Sequence, residues 1–188
     1  KRAAEQIVLN ARGADGQPLG TVLRLGAVYG SRIKGNYRRL LQTLARGRFI
    51  AVGDGSNRRT LVYDKDVARA AVVAVSHDAA AGRVFNVTDG GFHTLNDIIK
   101  SICSALGRKP PWFSLPVGPM RALVGLVEKG CRSIGLKPPV TKAIIDKYTE
   151  DIAVDGSLIQ KELGFMPQYD LKTGWEETIR EMRELGAL

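Results

Sequence analysis

The residues most able to do chemistry are the basic side chains between Arg32 and Arg59. This stretch contains eight arginines and lysines but a single acidic residue, Asp54, within a chain of net charge +9. Such a concentration of positive charge attracts anions, and a guanidinium can hold two phosphate oxygens at once. The pattern indicates RNA, DNA or a small diphosphate as partner, although a solvated basic surface would have the same composition.

Short strands alternate with helices along the chain, which is typical of an α/β fold. Residues 94–97 follow a capping-box pattern with Asp97 in place of the usual glutamate. In the last helix, the 3.6-residue periodicity predicts that Trp175, Ile179 and Met182 are buried. We predict helices at 1–12, 36–45, 64–75, 94–106, 120–134, 141–148, 158–163 and 171–185, and extended segments at 21–25, 49–52, 60–63, 83–87, 110–116 and 151–155. The third helix begins at Asp64 or Asp66, and we expect Asp66 to be a structural residue that caps it.

Composition describes an ordinary globular chain. Of its 188 residues, 44% are hydrophobic and 25% charged, which suits one domain, or a domain plus a piece of another. The sequence opens at Lys1 with what reads as mid-helix, so we expect a truncated chain. Cys103 and Cys131 lie in apolar helical patterns and are expected to be buried free thiols in a reducing cytoplasm. With His77 and His93 they form no metal-ligand spacing.

Three segments, in order, resemble motifs of the extended short-chain dehydrogenase/reductase family. Residues 1–6, Lys-Arg-Ala-Ala-Glu-Gln, are similar to the tail of its Tyr-x-x-x-Lys motif. Residues 23–30, Leu-Arg-Leu-Gly-Ala-Val-Tyr-Gly, resemble its strand "LRPxNVYG". Residues 53–68 closely follow "GDGxxxRDFVYVxDVA".

A fourth resemblance combines residues 84–87, 163–167 and 174–179, which are similar to "VYNVG", "LGWxP" and "GLxxTI". Together the motifs resemble the C-terminal part of an NAD-dependent nucleotide-sugar epimerase/dehydratase, of the UDP-glucose 4-epimerase kind. This implies an α/β fold that combines partial Rossmann-type elements, the last strands and helices, with a small mixed α/β substrate-binding lobe.

The resemblance also implies a division of the chain. Residues 1–30 would be the C-terminal remnant of the NAD-binding Rossmann domain, and residues 31–188 mainly the substrate-binding lobe. A segment at about 60–76 would return to the Rossmann domain.

The resemblance assigns catalytic and cofactor-binding roles near the start of the chain. Lys1 would be the catalytic lysine, whose ammonium lowers the pKa of a tyrosine four residues upstream and outside this chain. Lys1, Leu25 and Val28 would contact NAD. Read without the family, Lys1 is an ordinary surface lysine.

Four further positions are expected to bind the nucleotide diphosphate of the substrate. Arg59 would pair with the diphosphate, whereas Arg58 would be solvated because neighbours on a strand point in opposite directions. Asn36 and the free N–H groups of its helix would hold a phosphate, or Asn36 is a plain helix cap. Phe49 and Val52 would line the base, or merely pack in a sheet.

The sequence departs from the family pattern at several places. Leu25 and Ala27 stand where the family usually has proline and asparagine. A second arginine for the diphosphate is not evident, although Lys147 lies nearby. No glycine-rich dinucleotide fingerprint follows a strand, and Gly53-Asp-Gly is not one. We therefore expect this chain alone not to turn over substrate.

Competing functions remain open from sequence alone. The first is an isomerase acting at C4 of UDP-hexoses in polysaccharide biosynthesis, with a dehydratase or 4-keto reductase as relatives. The second is a basic nucleic-acid-binding module, which the pI of 9.8 favours but an aromatic content of 6% does not. The third is a regulatory homologue without activity. The family resemblance adds homodimerisation through the helix at 1–12, and argues against nucleic acid, metal or membrane as partner.

Overall fold

The computed structural model describes residues 1–138 and 141–188. A 3-10 turn covers Asp78–Ala80. The helices are α1 Arg2–Asn10, α2 Gly35–Ala45, α3 Asp64–Ser76, α4 Leu95–Leu106, α5 Val117–Ser133, α6 Lys142–Thr149, α7 Ser157–Leu163 and α8 Leu171–Glu184. The strands are β1 Val22–Leu25, β2 Ala27–Tyr29, β3 Ala51–Val52, β4 Arg58–Arg59, β5 Leu61–Tyr63, β6 Val84–Val87, β7 His93–Thr94 and β8 Ser114–Leu115.

The strands form mostly parallel pairs. β1 pairs with β6, β2 with β5 and β3 with β8, all parallel, while β4 pairs with β7 in antiparallel fashion. Only Gly26 separates β1 from β2, yet the two strands pair with different strands, β6 and β5. The Gly26 amide donates to Val87 O at 2.9 Å and the Ala27 amide to Thr60 O at 2.9 Å. Parallel strands interleaved with helices confirm the predicted α/β class.

The larger core forms where α8 packs against α4 and β2. The rings of Trp175 and Tyr29 stack with centroids 4.7 Å apart, and Tyr29 Oη donates to Asp170 O at 3.2 Å. Trp175, Ile179 and Met182 are all buried, as their spacing predicts. Helical periodicity was a sufficient signal here because the whole stripe faces one core.

A second core lies between β6, α3 and α7. It buries Phe85, Val87 and Ile159. Nearby, the buried carboxylate of Asp66 accepts hydrogen bonds from the backbone amides of Gln168 and Tyr169. Asp66 therefore ties the start of α3 to the segment that leads into α8.

The structure corrects the expected role of Asp66 at α3 and confirms the predicted capping box at α4. Asp66 is structural, as expected, but it is not the helix cap, because α3 begins at Asp64 with Tyr63 in the cap position. At α4 the capping box is present: the Asp97 amide donates to Thr94 Oγ1, and the Thr94 amide to Asp97 Oδ2, each at 3.1 Å. The capping box could be predicted because its two side chains bond to free amides within three residues of each other.

Several expected boundaries are wrong. Helix α5 begins at Val117, three residues before the predicted start, and the strand expected at 49–52 shortens to β3. The extended segment at 151–155 makes only a bridge between Ile152 and Arg59. No local pattern predicted β7 or the 3-10 turn. Cys103 is buried, but Cys131 is partly exposed.

Candidate functional site

The Arg59 side chain lies against the C-terminal end of α6. Its Nη2 donates to Lys147 O at 3.0 Å and to Tyr148 O at 2.9 Å. Carbonyls at the end of a helix carry partial negative charge and lack partners within the helix. The guanidinium is therefore held in place rather than free in solvent. Among the described residues, its Nε and Nη1 make no hydrogen bond, so three N–H donors remain for a ligand.

The chain after α6 is hydrogen-bonded along β4, and this sets the position of Arg59. The Arg58 amide donates to Asp151 Oδ1 at 2.6 Å, and the Ile152 amide donates to Arg58 O at 2.9 Å. Asn57 Nδ2 adds a bond to Tyr148 O at 3.1 Å. The Arg58 side chain is exposed, as predicted from the alternation of a strand.

Two tyrosines that pack against the larger core lie near Arg59. Tyr37, Phe49 and Tyr148 are partly buried and pack against that core. Burial raises the pKa of Tyr148 to about 12 and also raises the pKa of Tyr37, while the positive charge of Arg59 opposes both shifts. The guanidinium is therefore within electrostatic reach of both phenols. The Tyr148 hydroxyl is buried and has no partner among the described residues.

Asn36 is not a helix cap. Helix α2 begins at Gly35, the cap position belongs to Lys34, and no side chain caps the helix. Gly35 has φ of 72°, a conformation that suits glycine and lets the chain turn into the helix. Asn36 is exposed in the first turn, one residue before Tyr37. Its side chain is therefore open to solvent, and no side chain caps the amides of this turn.

Phe49 and Val52 have different surroundings. Phe49 precedes β3 and packs against the larger core. Val52 lies within β3, in register with Leu115 of β8. The structure therefore brings Phe49 to the same core as Tyr37 and Tyr148, and it leaves Val52 with the plain sheet packing that its sequence also allowed.

Lys1, Leu25 and Val28 lie on a different, more open edge. Lys1 is exposed in the cap position of α1, a helix with no buried residue. An ion pair of 2.6 Å between Glu5 and Arg24 joins α1 to β1. The side chains of Leu25 and Val28 remain 44% and 40% exposed.

This edge offers an ammonium and two apolar contacts to a cofactor, but no loop for its diphosphate. Gly55, in the glycine-containing turn Gly53-Asp-Gly, has a packing role: a β-carbon there would collide with Asn96. Asn96 Nδ2 donates to Asp54 O, which closes the turn. Among the described residues, this edge therefore has groups that could contact one side of a dinucleotide, and the turn at Gly55 does not form a loop for its diphosphate.

Sequence reasoning missed Tyr37, Tyr148 and Asn57. The contact between Arg59 and Tyr148 joins residues 89 positions apart, and no local pattern signals it. Lys147, considered for the diphosphate, contributes its backbone carbonyl to Arg59 while its side chain is exposed. The one available signal was a tyrosine at the end of an amphipathic helix.

The chain has an α/β fold that is structurally similar to Rossmann-fold epimerases and dehydratases. The NAD dependent epimerase/dehydratase family matches residues 1–88. Over these residues the chain is similar to NAD dependent epimerases and dehydratases, in keeping with the resemblance of its motifs to extended short-chain dehydrogenases/reductases. None of the helices in the described ranges has the length and hydrophobicity to cross a bilayer.

Relatives and solved structures support this placement. The chain is 26% identical over 161 residues to the N-acetyl-alpha-D-glucosaminyl-diphospho-ditrans,octacis-undecaprenol 4-epimerase of Escherichia coli O157:H7, covering 85% of this chain and 48% of that protein. It is 28% identical over 160 residues to the UDP-glucose 4-epimerase of Vibrio cholerae, covering 85% and 45%. The chain spans about half the length of these curated relatives.

The fold matches a solved structure over almost its whole length. This is the UDP-glucose 4-epimerase of Thermotoga maritima with UDP-glucose, at a TM-score of 0.67 and 23% identity. The match covers 98% of this chain and 52% of that one. It establishes the fold of the region described above.

Proposed function

We propose that this chain is the C-terminal part of an NAD-dependent nucleotide-diphosphate-sugar epimerase of the UDP-hexose 4-epimerase type. The observation that carries the proposal is Arg59, which is fixed by α6 through one nitrogen while its other donors make no hydrogen bond to the described residues. A guanidinium held in this way loses little conformational freedom when it pairs with a diphosphate.

The surroundings of Arg59 suit a diphosphate. The Tyr148 phenol, with its pKa raised to about 12, is protonated at neutral pH and can donate a hydrogen bond. The first turn of α2 offers the Asn36 side chain and uncapped amides, which favour an anion. Phe49 would flank the base beyond the diphosphate, with Val52 supporting it through β3.

The sugar chemistry belongs to the whole protein. Lys1 would lower the pKa of a tyrosine phenol that exchanges a proton with a sugar hydroxyl. When bound, NAD supplies the hydride acceptor, and Leu25 and Val28 would line its edge. Residues 1–30 and about 60–76 would belong to the cofactor-binding domain, with α1 pairing with a second copy.

Related proteins favour a diphosphate-linked sugar as substrate. The Thermotoga structure contains UDP-glucose, and the Escherichia coli relative is named for a sugar joined through a diphosphate to a polyprenol. The shared feature is the diphosphate, which Arg59 would bind. Dehydratases and 4-keto reductases of nucleotide sugars share it too, so the first experiment addresses binding of the diphosphate itself.

Titration calorimetry with UDP and with uridine tests the proposal. We expect UDP to bind and uridine to bind far more weakly. Arg59→Gln should weaken UDP binding about 10- to 100-fold, because a charge-assisted pair is lost, whereas Arg58→Gln should leave it unchanged.

Arg59 also supports α6, so a second variant separates binding from folding. Tyr148→Phe removes only the unpartnered hydroxyl and should weaken UDP binding by about fivefold with unchanged near-ultraviolet circular dichroism. Equal affinity for UDP and uridine, or equal losses in the Arg58 and Arg59 variants, would overturn the proposal.

A further inference from the structure

Helix α5 has one face that packs against the protein. Val124 and Gly125 are buried there, and a β-carbon at Gly125 would collide with the Lys142 side chain of α6. Arg121 pairs with Asp146 at 3.1 Å, and Glu128 accepts from the Lys142 amide at 3.3 Å. These contacts fix the rotation of α5 about its own axis.

The opposite face of α5 is apolar and exposed. Leu126 and Ile134 are each 70% exposed. At 100° per residue, the exposed apolar positions of α5, continued to Ile134 at its C-cap, fall within about a 100° arc. We call this the α5 apolar face: Leu123, Leu126, Val127, Gly130 and Ile134.

The segment that contains α5 is strongly basic. From Arg108 to Lys147 the sequence has eight basic residues and two acidic ones. Both acidic groups, Glu128 and Asp146, are ion-paired with arginines of α5. The excess positive charge is therefore carried mainly by lysines. Long lysine side chains can lie along an apolar surface and place their ammonium groups in water.

The chain that enters α5 adds exposed aromatic rings. Trp112 is 95% exposed and Phe113 is exposed beside it, with ring centroids 5.9 Å apart. A helix that lies in a membrane interface typically has an apolar stripe, lysines in the same segment and an exposed tryptophan.

We propose that the α5 apolar face docks on an anionic lipid surface. The stripe enters the region between headgroups and acyl chains, and lysines of this basic segment contact lipid phosphates. A second copy of the chain fits this face less well, because two such strongly basic regions would be brought together. This inference rests on α5 and its charges and is independent of Arg59.

Vesicle co-sedimentation tests the proposal. We expect the chain to bind vesicles of phosphatidylcholine with about 30 mol% phosphatidylglycerol, and to bind pure phosphatidylcholine far less. The double variant Leu126→Asp with Ile134→Asp should lower binding to the anionic vesicles at least about tenfold. The matched control is Val72→Asp with Val75→Asp, which changes two exposed valines on α3 and should bind as the wild type does.

A spectroscopic readout and a test of self-association complete the design. Trp175 is buried and Trp112 exposed, so a blue shift in tryptophan emission on adding anionic vesicles reports Trp112. No binding to anionic vesicles, equal losses in both double variants, or an unchanged emission overturns the proposal. So does sedimentation velocity that shows a dimer abolished by the α5 variant while its vesicle binding is intact.

Discussion

The region around Arg59 and the edge formed by α1 differ in how firmly the described residues hold them. Arg59 is hydrogen-bonded to two helix carbonyls beside a core built on Trp175. Helix α1 has no buried residue and is joined to β1 by the ion pair of Glu5 with Arg24. The difference indicates that the proposed diphosphate site is preformed in this chain, whereas the proposed cofactor edge is held less firmly.

The largest difference should appear on truncating one apolar side chain in each region. Trp175→Ala removes a buried ring stacked on Tyr29 and should lower the free energy of unfolding by about 3–5 kcal/mol. Ile7→Ala, in the exposed part of α1, should change it by no more than about 0.5 kcal/mol. Urea denaturation checks both. Equal effects would show that α1 is packed as firmly as α8.

The next largest effect concerns the buried carboxylate of Asp66, compared with the exposed carboxylate of Asp15. Asp66→Asn places an amide N–H₂ against the backbone donors of Gln168 and Tyr169, and should cost about 2–4 kcal/mol of unfolding free energy. Asp15→Asn is the control, because Asp15 is exposed and accepts only from the Gln17 amide. A neutral Asp66→Asn variant would mean that α3 and the entry to α8 are not joined through this carboxylate.

The support that Arg59 gives to α6 predicts a smaller effect. Arg59→Lys keeps the charge but cannot reproduce the planar donor geometry, so unfolding free energy should fall by about 1–2 kcal/mol. Arg58→Lys, on the exposed side of β4, should be neutral. Thermal unfolding followed by circular dichroism at 222 nm, in parallel with the wild type, measures both. If the two lysine variants behave alike, the bonds to Lys147 and Tyr148 do not hold α6.

The smallest effect concerns pH and β7, which pairs with β4. The hydrogen bond that His93 Nε2 donates to Asp89 Oδ2, at 2.7 Å, raises the pKa of His93 above its ordinary value. Protonated His93 is thus favoured in the folded state, and its contribution is complete below the unfolded pKa of about 6.5 and lost as pH rises through the folded value. Urea midpoints across this range should fall with pH in the wild type and fall less in His93→Gln. His77→Gln is the control, and it should leave the slope as it is in the wild type.

Sequence predicted the parts of this molecule that depend on local pattern. The stripe of Trp175, Ile179 and Met182 and the capping box of Thr94 and Asp97 each lie within a few residues, where periodicity or spacing determines the outcome. The α/β class followed from the same signals.

What sequence did not predict depends on distant contacts. Arg59 meets Tyr148 only because the segment after α6 is hydrogen-bonded along β4. Asn36 fails as a cap because Gly35 turns the chain one residue earlier. The roles of Lys1, Leu25 and Val28 came from family resemblance, and their exposed positions leave those roles as predictions.

Hydrogen–deuterium exchange with and without UDP tests the central claim most directly, that the diphosphate site is preformed around Arg59. The account predicts that UDP slows exchange in the first turn of α2 and in β4, and leaves α1 unchanged. Protection that appears only in α1 and β1, or none in α2 and β4 at saturating UDP, would contradict it.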